Sequence, residues 1–174
     1  MRLDINKDQH LFASLKVGEL VYLNGEVYTA RDAAHKRLLT MIEQNEPLPF
    51  TLNGNGIYYV GPTPSTPSQI YGSAGPTTST RMDAYTPILL DKGLKFMIGK
   101  GRRSEEVKAA IKRNKAVYFV AAGGAGALYA SCVKKVEPVA FAELLSEAIN
   151  KITIEDFPVF VGIDTCGNDI YEEE

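Results

Sequence analysis

The chain has 174 residues, 45% hydrophobic and 23% charged, an ordinary composition for a globular protein and enough to bury one substantial core. Its formal net charge of −2 argues against a nucleic-acid surface, which needs a basic face. No apolar stretch approaches the ~20 residues that span a bilayer, and the N-terminus lacks the apolar centre of a secretion signal, so a cytoplasmic location without membrane contact is expected.

In chain order, a polar lead over 8–16 comes first. Glu19 to Tyr28 then predicts a hairpin that turns at Asn24-Gly25. Ala33, Ala34, Leu38, Leu39 and Ile42 recur at helical spacing in a helix that starts near Asp32 and ends before Pro47. Leu52 to Gly56 reads as a turn, Ile57 to Val60 as a short strand, and Pro62, Pro64 and Pro67 mark a surface loop. A helix is predicted from Ser79 towards Asp91, broken or kinked at Pro87. Lys95 to Ile98 is strand-like, Gly99-Lys100-Gly101 a tight turn, and Ser104 an N-cap for a helix over 105–113.

Ala116 to Ala122 is apolar throughout, as a strand buried on both faces would be. Ala125 to Val133 fits either a tightly packed helix or a second strand. Val136 to Val139, Phe157 to Ile163 and Ile170-Tyr171 read as further strands around a helix over 141–149. Strands and helices mixed without strict alternation imply an α/β fold of mixed strand direction, in one domain over 1–174. Cys132 and Cys166 have no CxxC spacing and no histidine nearby, so neither a disulfide nor a complete metal site is expected.

Two segments carry chemistry. Gly75-Pro76-Thr77-Thr78-Ser79-Thr80-Arg81-Met82-Asp83 sets hydroxyls and a guanidinium behind a Gly-Pro corner. If a helix starts near Ser79, free N–H groups, hydroxyls and Arg81 converge on a volume that suits a carboxylate. A Ser/Thr cap beside a surface arginine is the plainer account. Thr29-Ala30-Arg31-Asp32-Ala33-Ala34-His35-Lys36-Arg37 places Arg31, Asp32 and His35 where a strand gives way to a helix, with Arg31 and His35 four apart. Here the plainer account is an Asp32–Lys36 surface pair and a packed His35. The Gly123-Gly124-Ala125-Gly126 run lacks the lysine and serine of a phosphate loop, and close backbone packing explains it better.

Together with Gly99-Lys100-Gly101, Ala121 to Leu128 and Gly162 to Asn168, these segments resemble the signature blocks of the class I fumarate hydratase C-terminal region. In two-chain enzymes that region is a β subunit, of the same type as the β subunit of L(+)-tartrate dehydratase. The resemblance runs from about Leu15 to Tyr171. It implies a swivelling β/β/α domain, mixed sheets with helices on one side, in a hydro-lyase acting on a four-carbon dicarboxylate. It also implies a 4Fe–4S cluster as Lewis acid, bound by the cysteines of a partner α subunit and not by this chain, in a hetero-oligomer such as a dimer of αβ pairs.

Such a reaction needs cations on both substrate carboxylates, and on the charge that builds beside one of them as a proton leaves. On this reading Arg31, Arg81, Lys100 and Thr78 bind substrate. The resemblance implies Thr77 at the reacting carbon as base or relay; its hydroxyl is too weak an acid to act without an acceptor, which the family draws from the partner chain. Asp32 and His35 join the catalytic set as residues that orient Arg31 or pass protons. Asp83, two residues from Arg81, is poorly spaced to brace it, and leans the substrate towards fumarate because tartrate-type chains more often carry glutamate there. Cys166 is read as a structural thiol. Reversible hydration of fumarate to L-malate is the first expectation; L-tartrate dehydration and a non-catalytic carboxylate-binding module are the alternatives.

Overall fold

The computed structural model describes residues 1–172. Among them, one mixed sheet is built from β1 (Arg2–Asp4), β2 (Leu20–Thr29), β3 (Gly56–Tyr58), β4 (Phe96–Gly99), β5 (Val117–Val120), β6 (Val133–Ala140) and β7 (Ile149–Ile163). β2, β3, β4 and β5 are neighbours in that order and all parallel. β7 runs antiparallel to β5 and also to β2, which closes these strands into a ring. β1 adds to β2, and β6 to β7. The helices are α1 (Asp32–Glu43), α2 (Thr86–Asp91), α3 (Glu105–Asn114) and α4 (Gly126–Cys132). The mixed α/β class read from the sequence therefore holds, with a closed ring at its centre. Among the described residues no helix is long and apolar enough to cross a membrane.

The pleat explains why β3 to β5 are apolar on both faces. Tyr58, Val60, Phe96, Ile98, Val117 and Phe119 join Val21, Leu23, Val27, Ile152, Ile154 and Phe157 in one buried cluster, the interior of the ring. The alternate residues Ile57, Tyr59, Met97 and Tyr118 form a second cluster with Ala34 and Leu38 of α1, Leu89 and Leu90 of α2, and Val107 and Ile111 of α3. Three helices thus cover the outer face of the parallel strands. α4 instead adds Tyr129 and Cys132 to the ring's own core.

Several local expectations meet a different tertiary answer. Asn24-Gly25 is not a hairpin turn: β2 runs straight through it, with β1 on one edge and β7 on the other. The register with β7 slips opposite these residues, and the burial of β7 changes phase across Glu155 and Asp156, with Asp156 at φ 49°. The Asn-Gly pair therefore marks the partner of a β-bulge, held where Asn24 Oδ1 accepts from the Asp156 amide at 3.0 Å. Pro87 splits the helix predicted from Ser79: a 3₁₀ turn over Ser79–Met82 stops, and α2 restarts with proline in its first turn, where the missing N–H costs nothing.

Phe141 and Leu145 both take positive φ, so 142–147 is a broken 3₁₀ turn and not the helix expected over 141–149. Ile170-Tyr171 forms no strand; the chain turns back first, because the Asp164 carboxylate accepts from the amides of Cys166 and Asn168. For Ala125 to Val133 the helical alternative is the one adopted.

Candidate active site

Because β2 to β5 are parallel, the segments that follow them leave the ring at one end, where open α/β sheets bind ligands. Arg31 follows β2, Gly61 and the 75–83 segment follow β3, Lys100 follows β4, and Gly123-Gly124 follow β5. One rim therefore gathers every residue singled out from the sequence as binding substrate.

Arg31 is the N-cap of α1, in extended conformation, and its side chain caps nothing. A carboxylate from a distant turn does that job in part: Glu147 Oε1 accepts from the Ala33 amide at 3.2 Å. Losing a side-chain cap costs about 1 kcal/mol, less than the 1.5–3 kcal/mol or so from burying Leu38 completely, so packing decides where α1 begins. The Arg31 side chain lies along Gly61, where a Cβ would collide with Nη1 and Cδ. Its Nε is buried with no hydrogen-bond acceptor among the described residues. Gly61 is a site residue that the sequence reading did not mark; only the strand end before it hinted that backbone and side chain meet there.

His35 is fully buried. Its Nδ1 donates to the Arg31 carbonyl at 2.8 Å, and its ring packs edge-on to Tyr59 at 5.4 Å. Burial holds its pKa down at about 4; the Arg31 carbonyl opposes this and the nearby Arg103 guanidinium adds to it. The ring is therefore neutral at ordinary pH and serves as a strut under Arg31. The unfolded chain binds a proton near pH 6.5 that the folded chain refuses until about pH 4, so stability present above pH 6.5 is lost through that window. The difference amounts to about 3 kcal/mol. Urea midpoints measured across this range should fall steeply for the native chain and clearly less for His35→Gln; parallel curves would refute the assignment.

The hydroxyl-rich segment is stitched to its neighbours rather than left with free amides. The Thr77 amide donates to the Tyr59 carbonyl at 2.7 Å, and the Ser79 amide to the Lys100 carbonyl at 2.9 Å. Thr78 pairs with Lys100 as a parallel bridge. Two of the amides expected to be free at a helix start, those of Thr77 and Ser79, are thus spent on holding position. Thr77 is half-buried and Thr78 exposed. Arg81 forks onto Asp32: Nε to Oδ1 at 3.2 Å and Nη2 to Oδ2 at 2.6 Å. Asp32 therefore pairs with Arg81 and not with Lys36, and the fork sets Arg81 beside the residue that follows Arg31.

Lys100 has no carboxylate partner among the described residues. Its Nζ ends beside Gly123, 3.9 Å from where a Cβ would stand. Gly126 packs against Gly75 and Ser73, and its carbonyl accepts from the Ala74 amide at 3.0 Å, so the glycine run serves close backbone approach. Asp83 turns away from Arg81. Its Oδ1 accepts from Arg103 Nε and its Oδ2 from the Ser104 amide, both at 2.7 Å.

The rim is open. Arg81 and Asp32 side chains are 50% and 35% exposed, and an open hollow of about 340 Å³ lined by Ile70, Tyr71, Ala127 and Ala130 contains none of the site residues. Charges facing water grip a dianion weakly, because solvent screens them. As for metals, no group of three histidine, cysteine or carboxylate side chains is placed to hold an ion among the described residues. Cys132 is buried, with burial raising its pKa, and Cys166 is exposed. The residues present do not fit an iron–sulfur cluster, which takes several thiolates at one point.

A family model described as "Fumarase C-terminus" matches residues 1–174. The chain is 38% identical over 175 residues to fumarate hydratase 2 of Leishmania major, covering 99% of this chain and 31% of that protein. It is 37% identical over 179 residues to the aerobic class I fumarate hydratase of Escherichia coli K12, covering 99% of this chain and 33% of the relative. A putative L(+)-tartrate dehydratase subunit beta of Methanocaldococcus jannaschii is 41% identical over 165 residues, covering 91% of this chain and 85% of that one. The chain thus spans about a third of the fumarate hydratases it matches. With a match along its whole length, the chain belongs to the fumarase C-terminus family.

Proposed function

We propose that this chain is the β-type part of an iron–sulfur hydro-lyase that reversibly hydrates fumarate to L-malate. It supplies half of a site that an α-type surface completes, within a cytoplasmic hetero-oligomer, and 1–174 is one swivelling β/β/α domain. The observation that carries this reading is the convergence of Arg31, Thr77, Arg81 and Lys100 on one open rim that needs a second surface to exclude water. The 4Fe–4S cluster of this enzyme class is assigned to ligands outside the chain.

Within the rim, Arg31, Arg81 and Lys100 hold the two carboxylates, with Thr78 beside them. Thr77 is placed at the carbon that gains or loses a proton, as base or relay. Asp32 acts by holding Arg81, and His35, buried and neutral, by holding the backbone of Arg31. A second reading, L-tartrate dehydration, is favoured by the 41% identity to the Methanocaldococcus protein.

The test is to assay the chain alone and paired with a cluster-loaded α-type subunit under anaerobic conditions, with fumarate and with L-tartrate. No turnover alone and hydration on pairing is the expected result. Full turnover by the lone chain after chelation would refute the half-site. Tight calorimetric binding of fumarate by the lone chain, with no turnover on pairing, would point to a carboxylate-binding module instead.

A further inference from the structure

Arg103 stands in a run of cations, with Lys100 and Arg102, that looks like solvated surface, yet its side chain is 0% exposed. A fully buried guanidinium is costly unless its donors are used. Most of them are. Nε donates to Asp83 at 2.7 Å, and Nη2 donates to the Tyr59 hydroxyl at 3.1 Å and to Thr86 Oγ1 at 3.0 Å. The guanidinium carbon sits 5.2 Å from the Tyr59 ring centre and 4.8 Å from that of Tyr118.

Each of these partners holds a different part of the rim. The Tyr59 carbonyl takes the Thr77 amide. Tyr118 donates its hydroxyl to the Gly101 carbonyl at 2.9 Å and meets Ser79 Oγ at 2.7 Å. Asp83 anchors the Ser104 amide and lies two residues beyond Arg81, and Thr86 donates to the Met82 carbonyl at 2.8 Å. Gly99 completes the junction: a Cβ there would strike Ser79 Oγ and the Tyr59 ring. One buried cation therefore joins the 77–83 segment, through Asp83 and Tyr59, to the 99–104 segment that carries Lys100.

We infer that Arg103 is a positioning residue of the hydro-lyase site, setting Thr77 and Lys100 relative to each other without touching substrate. The catalytic part of this inference rests on the function proposed above; the mechanical part does not. A displacement of about 1 Å at reacting groups costs about 10²-fold in rate. Arg103→Lys keeps the charge but loses the fork. In the paired enzyme it should lower kcat for fumarate about 10²-fold with KM within about threefold, and leave the pH profile in place. Arg103→Met should be slower still, so that lysine gives partial rescue.

In the 174-residue chain itself, the Arg103→Lys amides of Thr77 and Ser79 should exchange with deuterium at least about tenfold faster than in the native chain. Should that variant fail to fold, Tyr59→Phe removes only the hydroxyl that Arg103 grips, and should raise exchange at Thr77 and lower kcat several-fold. Unchanged exchange at both amides would overturn the inference, as would loosened amides with native kcat. Loosened amides in a chain whose native form never hydrates fumarate on pairing would support the mechanical tether and refute the proposed function.

Discussion

Arg81→Ala is expected to lower kcat/KM for fumarate about 10³-fold in the paired enzyme. A charge-assisted hydrogen bond contributes about 1.5–3 kcal/mol, and an arginine fork makes two to one carboxylate, so about 4 kcal/mol is at stake, at 1.36 kcal/mol per factor of ten. The Asp32 fork uses Nε and one N–H of Nη2, which leaves the other N–H of Nη2 and those of Nη1 to fork onto substrate, while fixing the plane of the group. Stability should change little, because a half-exposed ion pair contributes no more than about 1 kcal/mol. Arg81→Lys should recover only a small part of the loss, since an ammonium cannot form the fork. Steady-state kinetics with fumarate and thermal melts of both variants check this. A kcat/KM within about threefold of native would remove Arg81 from the grip.

Thr77→Ala is expected to lower kcat about 10³-fold with KM nearly unchanged, the pattern of an interaction made only in the transition state. The substitution leaves the backbone tie in place, because the Thr77 amide and not its side chain bonds to the Tyr59 carbonyl. Loss of rate therefore reports on the hydroxyl itself. Thr77→Ser retains that hydroxyl and should recover most of the rate. If alanine and serine variants are equally slow, shape and not proton transfer is what the position supplies; if both are as fast as native, Thr77 has no part in the chemistry.

These outcomes would differ from those at Asp32. Asp32→Asn keeps the shape but removes the charge that holds Arg81, so it should raise KM more than it lowers kcat. That separation follows from Asp32 acting through the guanidinium. It would not follow from Asp32 serving as a proton donor, the role left open by its position at the strand–helix junction.

Much of the rim was legible because its signals are local. Ser104 caps α3 as its sequence indicates, and its Oγ accepts from the Val107 amide at 3.2 Å, whereas the tight turn read at Gly99-Lys100-Gly101 is strand through Gly99 and a bridge at Lys100, with only a bend at Gly101, and no turn forms at Pro76. The continuous apolar run at β5 announced a strand buried on both faces. By contrast, Asn24-Gly25 misled because its turn preference is weaker than the pairing of β2 with a strand far along the chain; Asn24 bonds Asp156, 132 positions away. Asp83 misled for a related reason. Spacing compares it with Arg81, whereas the fold brings Arg103 from 20 positions on.

The family, and the places of Arg31 and Lys100 just after strands, were determined by the sequence alone, since each depends on short stretches of chain. Only the tertiary structure decided that these stretches share one rim, that His35 is a neutral strut and that Arg103 is buried. Those properties arise from ring closure by β7 and from helices packed over β3 to β5, and burial and long-range pairing are set by the whole chain.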